Sequence, residues 1–158
     1  MARNHILRSI RNALNLDDAT MIHIFGLTGR AVGQSTITAL LTTEDEDGHI
    51  PCSDPVFGFF LDGLIIHKRG LREGTPAREI TPRVELTNNA ILKKLRIALD
   101  LKEDDMIAIM NLTGIELSKH ELTALFRKQG HKHYKECSDR LLMGFLEGLA
   151  LYYREYHV

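Results

Sequence analysis

Asn4-His5-Ile6-Leu7, Met21-Ile22-His23-Ile24, Leu27-Thr28-Gly29 and Cys52-Ser53-Asp54 return, in that order and without a gap, as Asn89-Ala90-Ile91-Leu92, Met106-Ile107-Ala108-Ile109, Leu112-Thr113-Gly114 and Cys137-Ser138-Asp139. Thr38-Ala39-Leu40 recurs as Thr123-Ala124-Leu125, and Phe60-Leu61-Asp62-Gly63-Leu64 as Phe145-Leu146-Glu147-Gly148-Leu149. Residues 4–69 thus align on 89–154 with roughly two dozen identities, the signature of an internal duplication. The fold is one small unit used twice.

Within each copy the apolar spacing is helical. Ile6, Leu7, Ile10, Ala13 and Leu14 fall three and four apart, as do Ile91, Leu92, Leu95, Ala98 and Leu99, so each set forms one stripe. Second helices follow Asp17-Asp18 and Glu103-Asp104-Asp105, acidic residues suited to a helix start, and run to Gly29 and Gly114, which can close a helix in the left-handed region. Third helices are expected over about Gln34 to Thr42 and Ser118 to Lys128, the latter opened by a Ser118-Lys119-His120-Glu121 capping box. Fourth helices begin at Ser53-Asp54-Pro55 and Ser138-Asp139. They are apolar on more than one face, through Val56, Phe57, Phe59, Phe60, Leu64, Ile65 and Ile66 and through Leu141, Leu142, Phe145, Leu146, Leu149 and Leu151, and so should be buried on several sides.

Each fourth helix also carries a mid-helix glycine, Gly63 or Gly148, at a cost of about 1 kcal/mol relative to alanine. A repeated cost implies close approach by another backbone. The simplest partner is the other copy's fourth helix, around an approximate internal two-fold axis. The expected fold is all-α: two homologous tandem repeats of about four helices, pseudo-two-fold related, each with a helix-turn-helix-like element. Gly70 to Glu85, with Thr75-Pro76 and Thr81-Pro82, reads as a linker because proline and the residue before it resist helix. Residues 1–70 form the first repeat, 71–87 the linker and 88–158 the second repeat. The repeats are separate compact units or two halves of one core.

This doubled pattern, Asn-x-Ile-Leu, Arg-x-Ala-Leu-x-Leu, Met-Ile-x-Ile, Thr-Gly, Cys-Ser-Asp and Phe-Leu-x-Gly-Leu, resembles the YehS-like proteins of bacteria, a small duplicated family of unknown function. The resemblance covers nearly the whole chain. It implies bacterial origin and no established activity, and it carries no catalytic or binding residue onto these positions.

Composition is that of an ordinary globular protein, with 158 residues, 44% hydrophobic, 26% charged and no Trp. Met1-Ala2-Arg3-Asn4 has no apolar targeting core, and the run Val56 to Ile66 is too short to span a bilayer and is broken by Asp62. No membrane partner is expected, and two cysteines suit the reducing cytoplasm. A formal net charge of −1 gives no bulk attraction for nucleic acid but leaves room for a local basic face. Charge divides unevenly between the copies: Glu44-Asp45-Glu46-Asp47 in one stands against Gln129-Gly130-His131-Lys132-His133 in the other. Either these are two solvated loops or the two surfaces meet different partners.

The second and third helices suggest a function. Around core residues Leu122, Leu125 and Phe126, the third helix of copy two turns Lys119, His120, Thr123 and Arg127 outward, and copy one offers Gln34, Ser35, Thr38 and Thr42 there. Such side chains can bond phosphates or base edges. Against this, the turn is longer than in a compact helix-turn-helix, and any surface helix has a polar outer face.

Chemistry is less favoured. Cys52 and Cys137 sit at helix starts, where partial positive charge lowers a thiol's pKa, but His49 precedes only the first, so no Cys-His arrangement is shared and both read as packing residues. His131, His133 and Cys137, with His120 nearby, are zinc-ligand types in no established spacing, and copy one has Glu46 and Gly48 in place of the two histidines. No phosphate loop, paired carboxylates or dinucleotide fingerprint appears, so no catalytic residue, metal or cofactor is expected. The reading is a non-enzymatic binding or regulatory protein of unknown specific role, with nucleic acid, bound through the helix-turn-helix-like elements, as one candidate partner. The alternative is a protein-protein interaction or homo-oligomerisation module.

Overall fold

The computed structural model describes residues 1–70 and 86–156. Among them lie eight helices and no strand: α1 (Arg3–Leu14), α2 (Asp18–Leu27), α3 (Gln34–Leu41), α4 (Asp54–Arg69), α5 (Asn88–Ala98), α6 (Glu103–Asn111), α7 (Lys119–Leu125) and α8 (Asp139–Tyr156). The chain forms two compact units, residues 1–86 and 87–158, and α1–α4 correspond to α5–α8 in order. The Thr-Pro pairs of the linker lie outside the described residues.

Local chemistry sets most of the ends. Asp17 accepts the Thr20 N–H at 2.8 Å and Ser53 accepts that of Val56 at 3.3 Å, satisfying amides that have no partner inside the helix. The expected capping box forms: Ser118 Oγ accepts the Glu121 N–H at 3.1 Å, and Glu121 accepts the Ser118 N–H at 3.3 Å. Gly29 and Gly114, at φ 78° and 80°, close the second helices in the left-handed region.

In the first repeat α4 packs on α2, with α1 and α3 completing the bundle, and α8 packs on α6 in the second. Phe57, Phe60, Leu64, Phe145 and Leu149 are wholly inaccessible. Each such side chain contributes about 1.5 to 3 kcal/mol through removal from water. Leu151, expected among the buried apolar positions of the fourth helix, is instead 41% exposed.

The repeated glycines mark close approach, but the neighbour differs from the one expected. A Cβ added at Gly63 would overlap the Ile24 carbonyl oxygen and lie 3.0 Å from its carbonyl carbon, and one at Gly148 would meet Ile109 in the same way. Each fourth helix therefore seats its glycine on the backbone of the second helix of its own repeat, so each glycine is accounted for within its own repeat.

Polar framing is duplicated as faithfully as the core. Asn4, 3% exposed, donates from Nδ2 to the Leu40 and Ile50 carbonyls at 2.9 and 2.8 Å and accepts the Cys52 N–H at 2.9 Å. Asn89 does the same for Leu125, Lys135 and Cys137 at 2.9, 2.8 and 2.9 Å. Thr28 and Thr113 tie the second helices to the fourth by donating to the Phe59 and Gly144 carbonyls at 3.0 and 2.9 Å. Beside these threonines the copies diverge in compensating pairs. The Arg30 guanidinium lies 5.8 Å from the centre of the Phe59 ring, whereas Ile115 fills the space over Gly144.

Leu86 belongs to the first unit. Its side chain is buried against Gly58, its N–H donates to Asp54 at 3.3 Å, and its carbonyl accepts from Arg3, which also pairs with Asp54 at 2.7 Å. Thr87 caps α5 by accepting the Ala90 N–H at 3.1 Å.

Candidate functional site

α6 and α7 form the helix pair of the second repeat, joined by residues 112–118, with Leu117 buried between them. This connection exceeds the three or four residues of a compact helix-turn-helix. On α7, Leu122, Ala124 and Leu125 face the core, leaving Lys119, His120 and Thr123 exposed on one face as expected. Acidic groups adjoin that face. Lys119 Nζ lies 3.9 Å from Asp104, and Glu121, also on α7, binds Lys135 at 3.3 Å. Hydrogen bonds to Ser118, then Lys135, hold the Glu121 carboxyl below its ordinary range.

Arg127 does not share that helical face. The helix expected to reach Lys128 ends at Leu125, and Phe126 and Arg127 donate back only three residues, to Thr123 and Ala124 at 3.1 and 3.4 Å. The cause is tertiary: the Ala124 carbonyl also accepts the Lys135 N–H at 3.0 Å, and the Leu125 carbonyl accepts Asn89. Arg127 instead lines a cleft of about 190 Å³ with Lys93 of α5, Lys128, Gln129, Phe126 and Tyr134.

In the first repeat Gln34, Ser35 and Thr38 are exposed, but Gln34 is engaged with Asp18 at 2.7 Å and Thr38 at 3.2 Å. Thr42 leaves the predicted outer face. It follows the last residue of α3, is half-buried, bonds its hydroxyl to the Thr38 carbonyl at 2.6 Å, and offers its own carbonyl to His49 and Arg8 at 2.9 and 3.4 Å. Arg8 stands where Lys93 does in the second repeat, and His49 where Tyr134 does. These side chains knit the first repeat's surface together. In the second repeat Lys93, Arg127 and Lys128 have no ion pair or side-chain hydrogen bond among the described residues.

Neither cysteine is placed for nucleophilic chemistry. Burial, then the Asp54 or Asp139 carboxylate, pushes the Cys52 and Cys137 thiols up to about 12, opposite to the effect of a helix start. The histidines of copy two do gather, with His133 ring centres 6.2 and 5.9 Å from those of His120 and His131. Among the described residues no group of three or more ligand side chains is placed to hold a metal ion. No described helix is long and apolar enough to cross a membrane.

Lys93, Lys128 and Tyr134 are absent from the residues that sequence reasoning selects. Lys93 lies on the polar side of the first helix, and nothing in its spacing foretells the loop it faces.

Fold and surface define an all-helical tandem duplication whose second copy presents, among the described residues, a cluster of unpaired cations. The chain belongs to the family described as protein of unknown function (DUF1456), which matches residues 3–70 and 88–155, one match per repeat. It is 42% identical over 150 residues, covering 95% of each chain, to a protein of Escherichia coli (strain K12) described as uncharacterized protein YehS. No solved structure matches it.

Proposed function

We propose that this is a non-enzymatic binding or regulatory protein, and that its second repeat engages nucleic acid. The observation that carries the reading is the contrast between repeats. Lys93, Arg127 and Lys128 stand unpaired among the described residues around one cleft, with Lys119, His120 and Thr123 exposed on the preceding helix, while the first repeat presents Glu44-Asp45-Glu46-Asp47 in the loop that follows its third helix. Unpaired cations are what displaces counterions from a phosphate backbone. Two free, buried thiols suit action in the reducing cytoplasm.

The test is binding to random-sequence duplex DNA over a salt series. Affinity should fall steeply with salt, and a Lys119→Ala, Arg127→Ala double variant should bind more weakly, with a slope flatter by about one unit for each phosphate it no longer neutralises. Salt-independent binding, or a variant indistinguishable from the parent, overturns the reading. The competing interaction-module reading draws on Ile97, Leu112 and Leu151, apolar side chains 41–42% exposed in the same repeat. A stable oligomer in sedimentation, abolished by making Leu112 and Leu151 polar, would favour it.

A further inference from the structure

We infer that the cleft between the start of α5 and the segment after α7 is a seat for a phosphate group, held by Lys93, Arg127 and Lys128. This goes beyond nucleic-acid binding, because a phosphate on a small molecule would meet the same groups.

The cleft is concave and wet-sized. Its volume of about 190 Å³ is many times what a single water needs, so a tetrahedral anion fits with space for the group that carries it. Three cations with no acidic partner among the described residues border it. Such an excess suits a ligand near two negative charges better than a carboxylate, which one guanidinium can neutralise. Arg127 supplies the planar fork that pairs with two phosphate oxygens, and the two lysines act as point charges.

Two further side chains complete the setting. Tyr134 lines the cleft, and its hydroxyl has no partner among the described residues. Burial, then Glu136, raises its phenol above the ordinary value, so it remains a hydrogen-bond donor at neutral pH. Phe126 also lines the cleft, with the Arg96 guanidinium 4.7 Å from its ring centre.

The first repeat supplies an internal control. Its equivalents are Arg8, Thr42, Thr43, Glu44 and His49, and there Arg8 and His49 are turned onto the Thr42 carbonyl. The same fold thus engages these side chains on a backbone carbonyl in one copy and leaves the matching cations unpaired among the described residues in the other.

Titration of the full chain with inorganic phosphate, followed by amide ¹⁵N–¹H spectra, tests the seat. Saturable shifts should centre on Lys93 and residues 127–129, with Arg8 and residues 42–44 unmoved. A Lys93→Gln, Arg127→Gln variant should retain its melting temperature and lose affinity at least about tenfold, equivalent to about 1.4 kcal/mol. Equal shifts in both repeats, equal shifts with acetate, or a variant within about twofold of the parent would overturn the proposal. Duplex DNA added to the phosphate-saturated protein identifies the source. Displacement makes the seat a site for the nucleic-acid backbone, whereas persistence of bound phosphate leaves the seat standing for a small phosphorylated molecule and counts against nucleic acid.

Discussion

Asn89 accepts the Cys137 backbone N–H at 2.9 Å, from a side chain whose amide end is shared between two carbonyls on either side of one loop. All three partners lose their bond if the side chain is truncated. Asn89→Ala should therefore destabilise the second repeat by about 2 to 4 kcal/mol, given about 1 to 3 kcal/mol for each buried group left unsatisfied and partial rescue by water. Asn4→Ala should do the same in the first repeat. Urea unfolding measures both, and losses below about 0.5 kcal/mol would mean that the loops are held by other means.

Gly63→Ala and Gly148→Ala should each destabilise by about 1 to 3 kcal/mol, although alanine is the better helix former, because the added methyl meets a carbonyl that cannot move without bending α2 or α6. Gly26→Ala, in the last turn of α2 and with nothing within 4 Å of the added carbon, should stabilise by about 0.5 to 1 kcal/mol. Thermal melts should show opposite signs for Gly26→Ala and the other two variants.

Cys52 and Cys137 should resist thiol reagents in the native protein and react at once in denaturant. Their folded-state values of about 12 lie above the ordinary 9.0. The unfolded chain therefore releases these protons first as pH rises, so the contribution is complete below about pH 9 and is lost between there and pH 12. A Cys52→Ala, Cys137→Ala variant should show a shallower alkaline decline, and an unchanged slope would count against this assignment.

Acid should loosen the first repeat through Asp54. Burial opposes its ionisation, but Arg3 and the Leu86 N–H outweigh that and hold the carboxyl below its ordinary 3.8. The folded state thus binds fewer protons than the unfolded chain, and the stabilisation is present above that pH and lost as pH falls through the lowered value. Asp54→Asn should flatten the acid limb of stability. If both proteins lose stability in parallel, the clamp on Leu86 contributes nothing.

What could be read from the sequence were the features with local causes. The duplication, the helical stripes, the Ser118–Glu121 cap and the left-handed glycines at positions 29 and 114 all announce themselves within a few residues. Gly63 and Gly148 reported that something comes close, but periodicity identifies a face and not its neighbour, so Ile24 and Ile109 stayed hidden. Arg127 was drawn out of the predicted helix by bonds to the last turn of α7 from Lys135, at the far end of the loop that follows, and from Asn89, on another helix. Lys93 joined the cleft only because α5 folds beside that segment.

The loop that each asparagine spans has both ends fastened to one side chain, at Leu40 and Ile50 in the first repeat and at Leu125 and Lys135 in the second. Residues 41–49 and 126–134 are inserts of equal length in matching sockets, and their content is nearly irrelevant to how they are mounted. Transplanting residues 126–134 into the first repeat should give a folded protein with a new cationic surface there. Duplication has in this way separated the bonds that both copies share from a surface whose chemistry differs between them.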